Sequence, residues 1–415
     1  MSFDLVLGSL FPLALLLVGY RLRDQFFAWP ELSNLLFPGS APPSAPSTIY
    51  SLERAFHAYT QYLKLSYNDV QRMRSSYGSL GRAHKNLGYK IGYSHKLERL
   101  WEATSLNATL TEEIADLATK EHPELKQPSR IHATTADLAR VRESLKHFVR
   151  DWSSQGSEER KRIFDPILNV LSQIDPIERP LKRVLVPGSG LGRLAWEISE
   201  IGFDTTANEL SYFMTLAVRF LLSPQTTQRV DQHKIRPYAH WFSHQRTTDN
   251  LFRAVPFPDA IPRLKDNFHL LEQDFLSIPA LGSSPRPHFW TTGSENSQLP
   301  GEGFDYVVTL FFIDTSFNVL ATMAQIYALL KPGGYWINLG PLLWPGGGQC
   351  KLELSLEEVL AAAEELGFDF TKSRAGGQPN HLEAQRTVEC EYTGDPQAMM
   401  RWAYKAEFWV AQKPA

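Results

Sequence analysis

Three glycines at alternate positions mark the first place where this sequence could do chemistry. Val184-Leu185-Val186-Pro187 runs straight into Gly188-Ser189-Gly190-Leu191-Gly192, and helix-forming sequence follows. Glycine lets the backbone turn sharply and come close to a ligand where any Cβ would collide. A helix starting there adds unpaired N–H groups at the same place. Glu209 lies twenty-one residues after Gly188, just past the next strand-like run. An acidic residue at that distance can accept hydrogen bonds from both hydroxyls of a ribose. Asp274-Phe275 closes a third strand-like run. Its carboxylate can take the exocyclic amine of an adenine, and its ring can lie against the base. Loop, acid and Asp-Phe pair together describe a site for an adenosine-bearing ligand.

A dinucleotide fold spaces its glycines G-x-G-x-x-G and sets a pyrophosphate on the helix end. Here the spacing is G-x-G-x-G, which suits the methionyl carboxylate and adenosine of S-adenosylmethionine, and no hydride-handling residues accompany it. Methyl transfer from a sulfonium is an in-line displacement, in which the protein aligns and desolvates the reactants. Asp314 ends a fourth strand-like run, the edge where open α/β sheets bind ligands. There it can orient an imidazole through its N–H nitrogen, or hold an amine or amide donor. The competing role for Asp314 is N-cap of a helix over 316–330. Tyr392 and Tyr404 flank the last strand-like run, where core packing is one role for them. His240 and His244 stand four residues apart, but no carboxylate completes a metal site. A solvated or capping role is expected for them, and no metal.

These residues need elements to position them. From Arg183 onward, short β-branched or apolar runs at 183–187, 203–207, 268–271, 304–312, 334–339 and 404–411 alternate with helical stretches at 191–201, 211–222, 316–330 and 355–366. Alternation of this kind predicts a doubly wound, mostly parallel α/β sheet, with 404–411 as its antiparallel strand. A loop rich in Ser, Gly and Pro, Pro279–Gly303, precedes the fourth strand. Upstream, from Thr48 to about Leu171, the pattern is helical. Thr134-Thr135 are good capping types, and Leu138, Val141, Leu145, Phe148 and Trp152 follow at steps of three and four. Phe164, Ile167, Leu168, Leu171 and Ile174 form another stripe.

The bulk numbers narrow the class. The chain has 415 residues and is 43% apolar, enough for a large core. Its 42 Lys+Arg against 45 Asp+Glu give no electrostatic reason to expect nucleic acid as partner. Cys350 and Cys390 stand outside any paired-Cys motif, so neither a disulfide framework nor a zinc site is expected. Leu5–Tyr20 carries no charge and is followed by Arg21 and Arg23. Two readings of it stand side by side: a membrane anchor that keeps the rest in the cytosol, or a buried or interfacial helix, since the run is short and broken by Gly8, Pro12 and Gly19. A Pro- and Ser-rich break, Pro38–Pro46, separates it from the body.

The strings VLVPGSGLGRLAWEI (184–198), NELSYFM (208–214), FFIDTSFNV (311–319) and LKPGGYWINLGPLLW (330–344) resemble the carnosine N-methyltransferase family, as does FVRDWSSQG (148–156) upstream. The similarity covers most of 140–345 and continues more weakly to about 413. It implies a class I methyltransferase: a seven-stranded sheet in a catalytic domain, 181–415, behind a helical domain, 48–180, that contributes to the cofactor pocket, with 1–47 as a leader. It implies transfer from S-adenosylmethionine to an imidazole or amine nitrogen of a small molecule or dipeptide, a cytoplasmic setting or the cytosolic face of a membrane, and an assembly that could be a homodimer. For the cofactor it implies Arg150, His147 (where the family has Gln), Gly188, Gly190, Gly192, Glu209, Asp274, Phe275 and Leu310. For the substrate it implies Asp314, Tyr392 and Tyr404. FPDAIP (257–262) resembles a segment covering the pocket. The family histidine after GPLL-aromatic is replaced by Pro345, and an intermediate tyrosine by Trp402. Two other readings share the pattern: the same fold acting on a protein side chain or secondary metabolite, and a cofactor-binding scaffold without transfer activity.

Overall fold

The computed structural model describes residues 49–280, 303–346, 348–370 and 385–415. The leader with Leu5–Tyr20, and most of the loop Pro279–Gly303, lie outside the described residues.

Four helices come first: α1 (Leu52–Thr60), α2 (Tyr62–Gly78), α3 (Arg82–Lys90) and α4 (Tyr93–Glu121). The next, α5 (Thr135–Trp152), starts at the expected threonines. Thr134 Oγ1 accepts from Asp137 N–H at 3.3 Å, and Asp137 accepts from Thr134 N–H at 2.8 Å. This reciprocal pair satisfies two orphan donors and sets where the helix begins. The stripe Leu138, Val141, Leu145, Phe148 and Trp152 is buried, as its spacing requires. α6 (Ser157–Ser172) buries Phe164, Ile167 and Leu171.

The sheet then begins with β1 (Arg183–Pro187), α7 (Arg193–Glu200), β2 (Asp204–Asn208) and α8 (Tyr212–Leu222). β3 (His233–Ile235), α9 (Thr248–Phe252) and β4 (Val255–Phe257) follow; β3 and β4 form a separate antiparallel pair. The main sheet continues with β5 (Phe268–Leu271), β6 (Phe304–Leu310), α10 (Val319–Leu329), β7 (Leu330–Gly340), α11 (Leu356–Glu365), β8 (Gln385–Cys390) and β9 (Tyr404–Gln412). Its seven strands run in the order β5-β2-β1-β6-β7-β9-β8. All contacts from β5 through β7 are parallel, and β9 is antiparallel to both its neighbours. The order reverses between β1 and β6, which opens a crevice at the carboxyl ends of those strands.

Alternation builds two core layers. Val184, Val186, Val308 and Ile337 face α6 and α7. Leu185, Val307 and Trp336 face α10 and α11. Strands covered on both sides are apolar at successive positions, which is why they were legible as short apolar runs. A third cluster joins Tyr59, Leu145 and Phe148 to Phe213, Leu216 and Phe220 of α8, so the leading helices are fastened to the helix that follows β2. Among the described residues, no helix is long and apolar enough to cross a membrane.

Several elements differ from the sequence expectation. The fourth strand stops at Leu310 because Phe311 takes φ +50°, a left-handed conformation that leaves the strand. The helix expected over 316–330 starts at Val319, capped by Asn318, whose side chain accepts from Ala321 N–H at 3.3 Å. Strand β8, with its half-exposed, polar QRTVEC sequence, lacks the apolar run that marked the others.

Candidate active site

Strands β1, β2 and β5 end level with one another, since Pro187 pairs with Asn208 and Asn208 with Leu271. That register brings the glycine loop, Glu209 and Asp274 to one edge. Ser189 N–H donates to Asn208 O, and Glu209 N–H to Leu271 O, both at 3.0 Å. The Asn208 amide is buried and donates to Leu271 O and Gln273 O, tying the second strand end to the third.

Gly188 and Gly190 both have left-handed backbone, φ +62° and +56°. A Cβ on Gly188 would sit 2.4 Å from the Phe312 ring, whereas one on Gly190 would meet no protein atom within 4 Å. The space over Gly190 is thus open to a ligand. Glu209 accepts from Gly190 N–H at 2.9 Å and from Ser211 N–H at 2.8 Å. Burial pushes its carboxyl above the usual range, opposed by these backbone donors. A carboxylate has about four acceptor positions, more than these backbone donors occupy, so it keeps capacity for a hydroxyl. Ser189 Oγ is buried without a hydrogen-bond partner among the described residues. Asp274 accepts from Leu276 N–H at 3.0 Å and caps a short turn. Phe275 is buried, edge-on to Phe312 with ring centroids 5.3 Å apart. Leu310 is the last residue of β6.

Beyond Leu310 the chain forks. Phe312 turns toward the glycine loop, and Phe311 turns the other way, its ring 4.9 Å from that of Tyr392 and 5.8 Å from that of Tyr404. Asp314 follows, 6% exposed. It does not cap α10. Its Oδ2 accepts from Leu343 N–H at 3.0 Å, linking the strand end to the GPLLW segment after β7. No side chain bonds its carboxylate among the described residues. Burial raises its pKa to about 6, with backbone N–H donors from Leu343 and its own residue acting in the opposite direction.

Helix α5 approaches through its last turn. Trp152 Nε1–H donates to Leu191 O at 2.9 Å, so the contact to the glycine loop is made by a residue the sequence reading placed only in a core stripe. Arg150 donates to Asp151 through Nε and Nη2, at 2.7 and 3.2 Å, and lies 4.7 Å over the Tyr392 ring. His147 lies between Asp151 and Tyr392. The 257–262 segment is clamped: Asp259 pairs with Arg160 and Arg193, and its N–H donates to Trp152 O at 2.9 Å. We expect Asp259→Ala to lower the unfolding free energy by roughly 3 kcal/mol, the low end for a broken buried pair, because Asp259 keeps some water. Urea unfolding with and without S-adenosylmethionine reads both the loss and whether the ligand restores it.

His240 is neither solvated nor a cap. It lies 3.2 Å from Thr104 Oγ1 and 3.1 Å from Arg142 Nη2, and burial followed by Arg142 lowers its pKa to about 3. No cluster of three or more His, Cys, Asp or Glu able to hold a metal occurs among the described residues. A cavity of about 110 Å³ adjoins Tyr392, walled also by Tyr238, Trp241, His244 and Trp402. Trp402 is 72% exposed and so is no part of the core. Sequence reasoning had no signal for Phe311, Phe312 or Asp151, whose places depend on contacts between distant segments.

A seven-stranded sheet with one reversed strand, a glycine loop open over Gly190, an unpartnered Ser189 hydroxyl and an acid with spare acceptor positions fit S-adenosylmethionine, and the protein is an S-adenosylmethionine-dependent methyltransferase. Residues 127–415 match the model of the carnosine N-methyltransferase family. The carnosine N-methyltransferase of Schizosaccharomyces pombe is 32% identical over 381 residues, 86% of this chain and 93% of that one. Its counterpart in Rattus norvegicus is 34% identical over 304 residues, 71% of this chain and 68% of that one. The chain belongs to the carnosine N-methyltransferase family.

Proposed function

We propose that the protein methylates an imidazole or amine nitrogen of a small peptide-like substrate of the carnosine type. The observation that carries this reading is Asp314: a buried carboxylate at the switch-point edge, held by backbone N–H groups and three residues after Phe311, whose ring meets Tyr392 and Tyr404. S-adenosylmethionine supplies an electrophilic methyl group on a sulfonium. Gly188, Gly190 and Gly192 let its methionyl part approach the backbone, Glu209 accepts from the ribose, and Asp274, Phe275 and Leu310 border the adenine. Arg150 and His147, from the helical segment 48–180, line the pocket on the side of Tyr392. Asp314 accepts the N–H of the acceptor imidazole and so leaves the other nitrogen's lone pair facing the methyl group. The test is methyl transfer from labelled cofactor to carnosine, other histidine dipeptides, histidine and a simple amine, with product mapping to the nitrogen.

The rank order within that series turns on position 345. A histidine there could hydrogen-bond a substrate carboxylate or imidazole, whereas Pro345 has no side-chain polar atom and no N–H. Trp344 beside it is held by its indole N–H donating to Leu354 O at 2.9 Å. A site that loses one reader of substrate polar groups discriminates less. We expect carnosine to be a poor substrate relative to another imidazole or amine compound, and Pro345→His to raise kcat/KM for carnosine about tenfold, one hydrogen bond's worth. Efficient turnover of carnosine by the wild type would show that Pro345 is harmless.

The body from 48 onward carries the activity, and residues 1–47 are a leader that either anchors the chain at the cytosolic face of a membrane or is dispensable. Removing 1–46 is expected to leave kcat unchanged, measured on purified protein. Fractionation of the full chain shows whether it partitions with membranes.

A further inference from the structure

The residue after Tyr392 is bent against its preference. Thr393 has φ +50°, a left-handed backbone that a β-branched residue adopts only when its surroundings impose it. The group that imposes it comes from the helical segment, 234 residues away in the chain. Glu159, in the first turn of α6, accepts from Thr393 N–H at 2.7 Å through Oε1 and from Gly394 N–H at 3.1 Å through Oε2. Successive N–H groups turned toward one anion form a nest. Hydrogen bonds to an ionised carboxylate are about twice as strong as neutral ones, which offsets the cost of the turn.

The anchor is itself braced. Arg160, the next residue of α6, donates through Nη1 to Arg150 O at 2.6 Å and to Ser153 O at 2.8 Å. Gly156 packs so closely there that a Cβ would lie 2.2 Å from Arg150 O. A carboxylate mounted on this turn therefore holds a set position. Further along the same segment, Asp395 accepts from Arg253 and Gln245, and Met399 N–H donates to His244 O. Of these ties, only that of Glu159 grips the two residues that follow Tyr392. Arg150 and Phe311 contact the Tyr392 ring, but neither contact fixes the backbone that presents it.

We infer that Glu159 is a positioning residue for the acceptor site: by holding the left-handed turn at Thr393 and Gly394, it sets where the Tyr392 side chain stands. It acts through Tyr392 and does not itself meet the substrate. This rests on the functional reading above, in which Tyr392 borders the acceptor molecule.

The test is a double-mutant cycle on the KM for the acceptor, with Glu159→Ala, Tyr392→Ala and the two combined, at saturating S-adenosylmethionine. The acceptor is whichever of carnosine, the other histidine dipeptides, histidine and the simple amine turns over fastest. Glu159→Ala is expected to raise this KM about tenfold, the value of one hydrogen bond lost from a misplaced Tyr392. The Kd for S-adenosylmethionine, read by calorimetry, stays unchanged, since Arg150 keeps its pairing with Asp151. In the Tyr392→Ala background the same substitution adds nothing, because the side chain it places is gone. Glu159→Gln, whose amide oxygen can accept from one of the two N–H groups, falls between wild type and Glu159→Ala. A merely structural role gives a different result: a lower unfolding free energy with acceptor KM unchanged, or effects on KM that multiply in the double variant. Either overturns the inference while a raised KM in Tyr392→Ala leaves the functional reading standing. An unchanged KM in Tyr392→Ala removes Tyr392 from the acceptor site and takes the inference with it. Should Glu159→Ala not fold, Glu159→Gln completes the same cycle.

Discussion

Asp314→Asn is expected to lower kcat by at least about 10²-fold, the scale on which misplacing a reacting group acts, while leaving the affinity for S-adenosylmethionine unchanged. The carboxylate can only accept, so it forces an imidazole to turn its N–H inward and its lone pair toward the methyl group. An amide presents N–H as readily as C=O, so the acceptor nitrogen is no longer held in one orientation. Stability separates this from a structural role. Burial raises the Asp314 pKa from 3.8 to about 6, so the folded chain binds that proton more tightly than the unfolded one. The ionised side chain therefore costs stability, beginning as pH rises past the unfolded value and complete above about 6, on the order of 2–3 kcal/mol. Asn escapes that cost and still accepts from Leu343 N–H. The variant should be at least as stable as wild type at pH 8, and more so than at pH 4 by comparison with wild type. Activity runs the other way: wild-type kcat/KM falls as pH drops below about 6, and this limb is shallower in Asp314→Asn with the same substrate. A variant that keeps its turnover but unfolds more easily would make Asp314 a structural tie to the segment after β7.

Gly190→Val should abolish S-adenosylmethionine binding, at least about 10²-fold in Kd. The position is informative because the added side chain meets no protein atom within 4 Å, so its collision is with the ligand. The φ of +56° adds a backbone penalty for a branched residue, which Gly190→Ala shares in smaller measure. Comparing the two by calorimetry on folded protein separates strain from occlusion. Gly188 would not serve, since any Cβ there strikes the Phe312 ring and damages the empty site as well. Unchanged affinity in Gly190→Val would move the cofactor away from this loop.

Much of the molecule was legible in the sequence because its signals are local. The strand-loop-helix of 183–201 is written in adjacent residues, as is the capping box that starts α5. The parallel sheet followed from alternating short apolar runs and helical stripes, since each strand between two helical layers must be apolar on both faces. Glu209 and Asp274 needed only their places after the second and third runs. The same locality explains what escaped notice. The edge strand β8 carries no continuous apolar run, because it is half-exposed, paired only with β9, and sends only Val388 and Cys390 into the core.

The side chains proposed to form the acceptor pocket are brought together by contacts between distant segments. The competing reading of Asp314 as a helix cap falls only when Asn318 is seen to cap α10 and Leu343 to reach the carboxylate. Phe311 becomes the meeting point of Tyr392 and Tyr404 only because its backbone leaves the strand in a left-handed turn. His147 and Tyr392 are 245 residues apart, and no spacing rule relates them. Sequence by itself determined six of the seven strands of the main sheet, the glycine loop and the order in which acids follow it, since these depend on neighbours within a turn or a strand. Which distant aromatic and charged groups come together depends on packing between segments, and only the folded chain decides it.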